Sequence, residues 1–418
     1  MAESRNWDTS YEWKAVTLLG LGFGLVGLDR WIIAPLFPSM MKDLHLNYQD
    51  LGNLVGILGV CWGVFAAVMG GVSDKIGRRK VLIPAIFIFS ILSGLSGMAT
   101  GFLSLILIRG IMGLTEGSFC PTSFAATNEA SKPDRRGFNQ GIQQSAFALF
   151  GLGLGPIIAT QLLAVVPSWR WVFFIAAIPG LIVGAFMFRV IREATPEKSH
   201  AENTGGRPWM EIFRHRNIGL CMAALLCAMT GVFVLSAMLP NYLVDYLHLT
   251  AAQMGFVTSA IGFGGFLGQI GVPGLSDVLG RKLMAIVSFI GAAVFVRVFI
   301  SIGPNPVLLF GMLAIISFWC LGVVGLLTGP IATESAPIGL VSSAIGIVVG
   351  SGEIFGGGIA PSLAGYVAQH YGIQNILELA LIGVILGIFV CLFLKETAPR
   401  KAGSRVSNAV PVEPAAVR

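Results

Sequence analysis

Asp29 and Arg30 stand side by side in the stretch GLDRWII, inside a long apolar run where either charge alone is costly to bury. Eighty residues on comes Arg109, and seven further Glu116, in RGIMGLTEGSF. Seven residues is nearly two helical turns, so these two share one face. A third buried acid, Glu353, lies in VGSGEIFGGGIAP. The guanidinium fork is the preferred partner of a carboxylate, and a carboxylate released from its Arg in a low-dielectric medium takes up a proton. An outside anion that competes for the Arg therefore promotes protonation of the acid, and that exchange couples an anion to a proton. The same four residues, Asp29, Arg30, Arg109 and Glu116, can equally form a static ion network holding two helices together. Spacing alone leaves both readings open. For Glu353 the sequence leaves three roles: a third titrating site, a contact for a substrate hydroxyl or amine, or one half of an ion pair.

The elements that must position these charges are membrane helices. Of the 418 residues 55% are hydrophobic and 11% charged, with a mean hydropathy of +0.80, outside the range of a soluble globular domain. Apolar stretches of spanning length recur twelve times, at approximately 15–40, 50–72, 81–100, 102–126, 140–165, 169–190, 217–241, 250–274, 283–302, 305–333, 341–368 and 374–394. Lipid leaves no water to satisfy strand edges, so the expected fold is an all-α bundle. With both termini cytoplasmic, only Lys42 and Arg170 fall in outer loops, and Arg30, Arg109 and Arg297 lie well within spans. The remainder of the 27 basic residues then lie on the inside, which fixes the expected orientation in a cytoplasmic, inner membrane. The formal charge of +6 follows from those loops and does not point to nucleic acid. The polar, acidic start, MAESRNWDTSYEWK, lacks the pattern of a cleavable signal.

The six Cys fall within or beside spans without metal-ligand spacing, and the five His lie in loops. Neither a metal centre nor a cofactor is expected, and the Cys read as small buried hydrophobes. No nucleophile elbow or nucleotide loop supports an enzyme or sensor reading.

The longest polar interruption, 191–216, divides the spans six and six. The expected organisation is a cytoplasmic segment 1–14, a bundle 15–190, a linker 191–216, a second bundle 217–394 and a tail 395–418. The halves echo each other. GGVSDKIGRRK (Gly70 to Lys80) follows the second span and PGLSDVLGRK (Pro273 to Lys282) the eighth, with Asp74 and Asp277, and Gly77 and Gly280, each 203 residues apart. Glu129 in AATNEAS and Glu334 in IATESAP are offset by 205, as are Pro156 and Pro361. A duplication of six helices is a common way to build a transporter.

GGVSDKIGRRK resembles the loop signature of the major facilitator superfamily, in the position that family uses, and the likeness covers essentially the whole chain. It implies two pseudo-symmetric six-helix bundles around a cavity opening alternately to each side. Gly70, Asp74, Gly77, Arg78 and Arg79, with Asp277, Gly280, Arg281 and the acids Glu129 and Glu334, would then form a charge clamp at the inner helix ends, holding one conformation against the other. Asp-Arg in the first span, followed by Arg and Glu in the fourth, resembles the anion:cation symporter family within the superfamily. So does LSAMLPNYLVDYLHLTAAQMGFVTSAIGFGGFLGQIGVPGLSD (Leu235 to Asp277). This resemblance implies Asp29 and Glu116 as protonation sites, Arg109 as partner of Asp29, and Arg30 as contact for a substrate carboxylate. The chain departs from the family at SAMLP (Ser236 to Pro240), where members often place a bulky aromatic before the Pro. Its pocket is therefore expected to differ in shape, and the substrate is not inherited.

Further candidates on cavity helices are Gln143, Gln144, Ser236, Asn241, Tyr242, Trp319 and Ser351. Each residue type is also common in plain helix packing. Arg297, in a helix that supports this fold from outside, is expected to snorkel. The resulting expectation is a monomeric proton-coupled symporter of a small organic anion, its partners being that anion, protons and the lipid bilayer. The rival is a proton antiporter exporting drugs or metabolites, to which GLGLGPIIA in the fifth span bears a partial likeness.

Overall fold

A computed structural model of the chain describes residues 8–132, 135–193, 209–336 and 341–398, with backbone alone at 70–71, 74–75, 136–137, 209–211 and 341–343. Twelve helices are long and apolar enough to cross a membrane, and among the described residues there is no strand. They are α1 (Thr9–Leu44), α2 (Tyr48–Ile76), α3 (Arg78–Ser96), α4 (Phe102–Ala130), α5 (Phe138–Val165), α6 (Trp169–Val190), α7 (Arg216–Tyr246), α8 (Ala251–Leu279), α9 (Arg281–Ile300), α10 (Pro306–Ser335), α11 (Ala344–Tyr371) and α12 (Ile373–Leu392). An even number of crossings puts both ends on one face, here the termini face; the opposite one is the far face.

The helix of α1 begins at Thr9, where the Asp8 side chain caps it by accepting from the Tyr11 amide at 3.0 Å. Beyond α12, Lys395 and Glu396 bond back to the second bundle. Most of the linker, 194–208, and the tail from 399 onward lie outside the described residues; Trp209–Arg214 forms a short 3-10 helix.

The duplication extends to caps and turns. Asn47 and Asp50 cap α2 reciprocally, as Thr250 and Gln253 cap α8. His45 and His248 are the two non-glycine residues with positive φ among those described, at 53° and 56°, each just before one of those caps. Gly77 and Gly280, with φ of 104° and 102°, separate α2 from α3 and α8 from α9, a conformation that an L side chain rarely adopts.

Proline and glycine interrupt α1, α5, α10 and α11. In α1 the ladder stops at Ile32 between Thr9–Trp31 and Ile33–Leu44. Pro35 lacks the N–H that would reach the Trp31 carbonyl, and its ring crowds that carbonyl, so the break falls directly after Asp29 and Arg30. Wide π turns occupy Ala148–Leu154 before Pro156, Leu327–Ile331 around Pro330 and Gly352–Ile359 before Pro361.

Glycines also set how the halves meet. Gly52, Gly56 and Gly59 of α2 face the backbone carbonyls of Pro361, Gly358 and Gly357 of α11, and Gly153 of α5 lies against Gly262 of α8. At the far face Tyr48 Oη donates to Asp245 at 2.9 Å, the Tyr48 amide to Gln369 at 3.3 Å, and Gln49 to the Ser362 carbonyl at 3.1 Å. These seams run from the far face to about mid-membrane. Nearer the termini, Gly141 of α5 and Gly346 of α11 have open space where a side chain would be. The halves are therefore joined on the far side and parted on the termini side.

A Gly262→Val substitution tests that seam, because its side chain would overlap the Gly153 backbone. Overpacking of this kind costs about 1–3 kcal/mol, enough to shift a two-state equilibrium roughly 5- to 150-fold. The expected outcome is a chain that inserts normally with its far face held open, which distance measurements across that face check.

Candidate functional site

The break in α1 explains where the charges sit. The last carbonyls of a helical segment have no partner in their own ladder, and the break leaves such a C-terminal end in mid-membrane. Arg109 of α4 supplies one: its Nη1 donates to the carbonyl oxygens of Asp29 at 3.0 Å and Arg30 at 3.2 Å. A cation is favourable at a helix C-terminus, so Arg109 both caps the segment and sets the height of the pair above it. This corrects the expected pairing of Arg109 with the Asp29 carboxylate. That carboxylate instead accepts from Ser93 Oγ of α3 at 2.7 Å.

Arg30 makes its ion pair outside the other three charges. Its Nη2 meets Glu353 Oε2 at 2.7 Å, with side-chain exposures of 1% and 8%, and this supplies the partner that spacing left unnamed. The pair joins α1 of one half to α11 of the other. Its guanidinium is enclosed by the rings of Phe233, Trp62 and Trp31, at 4.7, 5.6 and 5.7 Å to their centroids.

Glu116 is fully buried, and neither of its oxygens has a hydrogen-bond partner. Arg109 likewise keeps Nε and Nη2 unpaired, and Arg30 keeps Nε. Buried polar atoms are ordinarily satisfied, so this concentration marks the place as built to be completed by something else. Close packing around it is a matter of glycine. Gly113 and Gly117 of α4 face the Leu58 and Trp62 carbonyls of α2, and small residues let the two backbones approach closely there.

The softer candidates separate. Ser236 is buried with its Oγ unpaired, one turn from Phe233. Gln143 is buried and bridges α5 to α4, accepting from Thr127 at 2.5 Å and donating to Ser123 at 2.8 Å, whereas Gln144 is exposed. Asn241 sits in the far-face seam, donating to Asp245 at 3.3 Å, and Tyr242 stacks on Tyr246. Ser351 is turned to its own helix, donating to the Val348 carbonyl. The Trp319 indole lies against Gly291 of α9, away from Arg30 and its aromatic enclosure. Arg297 reaches only Ser301 at the far-face end of α9, as a snorkelling side chain does.

The clamp residues pair within each half, in matching ways. Arg78 holds Glu129 at 3.1 Å and Ser73 Oγ at 2.7 Å. Arg281 holds Glu334 at 2.9 Å, Asp277 at 2.7 Å and Ser276 Oγ. Arg79 donates to the Phe188 carbonyl at 2.6 Å, tying α3 to the end of α6. Of Gly70 and Asp74 the backbone alone, within α2, is described. Two further acids belong to this arrangement: Glu396 accepts from the Arg281 and Lys282 amides at the N-terminus of α9, and Glu193 lies against Gly77. A sequence signal for them exists, because REATP (Arg192 to Pro196) and KETAP (Lys395 to Pro399) are offset by the same 203 residues.

Residues 19–354 match the Major Facilitator Superfamily. The chain is 25% identical to a probable 4-methylmuconolactone transporter of Cupriavidus pinatubonensis, covering 90% of this chain and 89% of that one. It is 29% identical to the sialic acid transporter NanX of Escherichia coli K12, over 86% and 88%, and 24% identical to a D-galactonate transporter of Escherichia coli, over 86% and 90%. Among solved structures, a bacterial homologue of the human lysosomal transporter Spinster, in an inward-facing and unoccupied conformation, superposes with a TM-score of 0.74 at 16% identity, covering 96% of this chain and 99% of the other. A match across most of the spans, twelve membrane helices in two duplicated halves and relatives that are transporters rather than enzymes converge: the chain belongs to the Major Facilitator Superfamily.

Proposed function

We propose that the chain is a proton-coupled symporter of a small organic anion, a carboxylate by preference, working by alternating access as a monomer in a cytoplasmic membrane with both termini inside. The observation that carries this reading is the pair of buried arginines, Arg30 and Arg109, with N–H groups left unpaired beside an unpaired Glu116. Two guanidiniums suit an anion and would repel a lipophilic cation. Relatives named as transporters of sialic acid and of galactonate agree with that preference.

In this reading Arg30 receives the carboxylate while Asp29, Glu116 and Glu353 exchange protons. Three carboxyl groups face two guanidiniums in a dry site, so a full set of charges would leave one negative charge uncompensated. Glu116, with no hydrogen bond to lose, is the group that carries the balancing proton. Ser236, one turn from Phe233 with its Oγ unpaired, is a polar contact for the rest of the substrate, and Gln143, Gln144, Asn241, Tyr242, Trp319 and Ser351 are further candidates. The pairs Arg78–Glu129 and Arg281–Glu334 tie the helix ends within each half, so that each half moves as a body.

Thermal stabilisation tests the substrate class, because a ligand that binds only the folded state raises Tm, by about 2.7 kcal/mol of stability at a hundred times its Kd. Sugar acids, aromatic acids, dicarboxylates and lipophilic cations would be compared on the purified chain. Stabilisation by one carboxylate class, absent in Arg109→Ala, is expected. Stabilisation by cations alone would favour the exporter instead.

A further inference from the structure

We infer that Glu353 is the resident ligand of the anion site: it occupies Arg30 until a substrate carboxylate replaces it, and its replacement unfastens the two halves. The inference rests on the anion-binding reading of Arg30 and adds what stands there beforehand.

Glu353 and Arg30 come from opposite halves, 323 residues apart, and meet at 2.7 Å in the buried middle of the molecule. The contact uses one guanidinium edge incompletely. Glu353 takes Nη2 alone, and the neighbouring Nε is buried without a partner. A free carboxylate bridging Nε and Nη2 would make two charge-assisted hydrogen bonds where Glu353 makes one, so it has the means to displace it. The guanidinium does not depend on Glu353 for its position, because three aromatic rings enclose it and Arg109 holds its backbone carbonyl.

Glu353 is also free to leave. It opens the wide π turn Gly352–Ile359, and Gly357 faces both its Oε2 and Arg30 Nη2, where any side chain would fill the space. Once displaced, it loses the one charged group it touches. Beyond Arg30 lie Arg109, Asp29 and Glu116 on α1 and α4; α4 also brings the Cys120 thiol. The one cation among these, Arg109, already faces the carboxyl groups of Asp29 and Glu116 and is held to the Asp29 and Arg30 carbonyls, so the displaced Glu353 takes up a proton as the substrate takes the guanidinium, and the charge of the site is unchanged. Because the pair spans α1 and α11, the same event removes a fastening on the closed, far side. A carboxylate bound in this way would have its body against the faces of Trp31, Trp62 and Phe233.

Glu353→Gln and Glu353→Ala, in the full-length chain, separate this from a purely structural ion pair, with D-galactonate and benzoate as probe carboxylates. Both variants are expected to bind the better probe at least about tenfold more tightly than the parent, since the competitor is gone. Without ligand, nitroxides at Lys42→Cys and Gln374→Cys, with Cys61→Ser to remove the one half-exposed thiol, are expected to move apart across the far face. Unchanged or weaker binding by both variants, with Arg30→Ala still abolishing it, would overturn the resident-ligand role while leaving the anion site intact. Absence of carboxylate binding by the parent and every variant would overturn both readings.

Discussion

Arg109→Ala is expected to lower carboxylate uptake by at least about a hundredfold while the chain still inserts and remains helical. The side chain caps the broken end of α1 through the Asp29 and Arg30 carbonyls, and it is one of two cations set against three buried acids. Removing one member of a buried charge set costs about 3–5 kcal/mol, because the partners left behind stay unpaired. Part of that cost falls on stability and part on the position of Arg30, which no longer has its backbone fixed. Arg109→Lys restores the charge but not the planar fork, so it is expected to recover folding more fully than transport. Uptake into proteoliposomes, normalised to reconstituted protein and accompanied by Tm, separates the two effects. Near-normal uptake by Arg109→Ala would contradict the assignment.

Glu116→Gln is the second large effect, and of a different kind. Neither Glu116 oxygen has a hydrogen-bond partner, so the amide removes a proton site without removing a bond, and Tm is expected to change little. Accumulation driven by a proton gradient should fall to the equilibrium level, because the variant can no longer release a proton on the inside. Exchange of labelled for unlabelled substrate needs no net proton movement and should persist at a substantial fraction of the parent rate. Unchanged gradient-driven accumulation would remove Glu116 from the coupling scheme.

What the sequence displayed and what it hid follow from the range of the interactions involved. Spans and duplication depend on local composition and spacing, and these were legible. Partners were not. Arg30 and Glu353 sit on different halves, 323 residues apart, and only the packing of the two halves against each other brings them together, so spacing left the partner of Glu353 unnamed. The family resemblance implied Arg109 as partner of the Asp29 carboxylate, yet the break imposed by Pro35 had created backbone acceptors that a guanidinium satisfies equally well. Trp319 shows the limit of residue type, since helix rotation turns its indole to Gly291 rather than to the interior. Glu193 and Glu396 were the avoidable omission, because the offset of 203 residues was already in hand.

Proton movement on addition of substrate tests the central claim most directly. Proteoliposomes containing a pH-sensitive dye inside, with no gradient imposed, would receive the carboxylate that stabilises the purified chain. Acidification of the interior, abolished in Arg109→Ala and Glu116→Gln, is the predicted result. Alkalinisation of the interior, or substrate entry with no change of internal pH, would contradict proton-coupled symport.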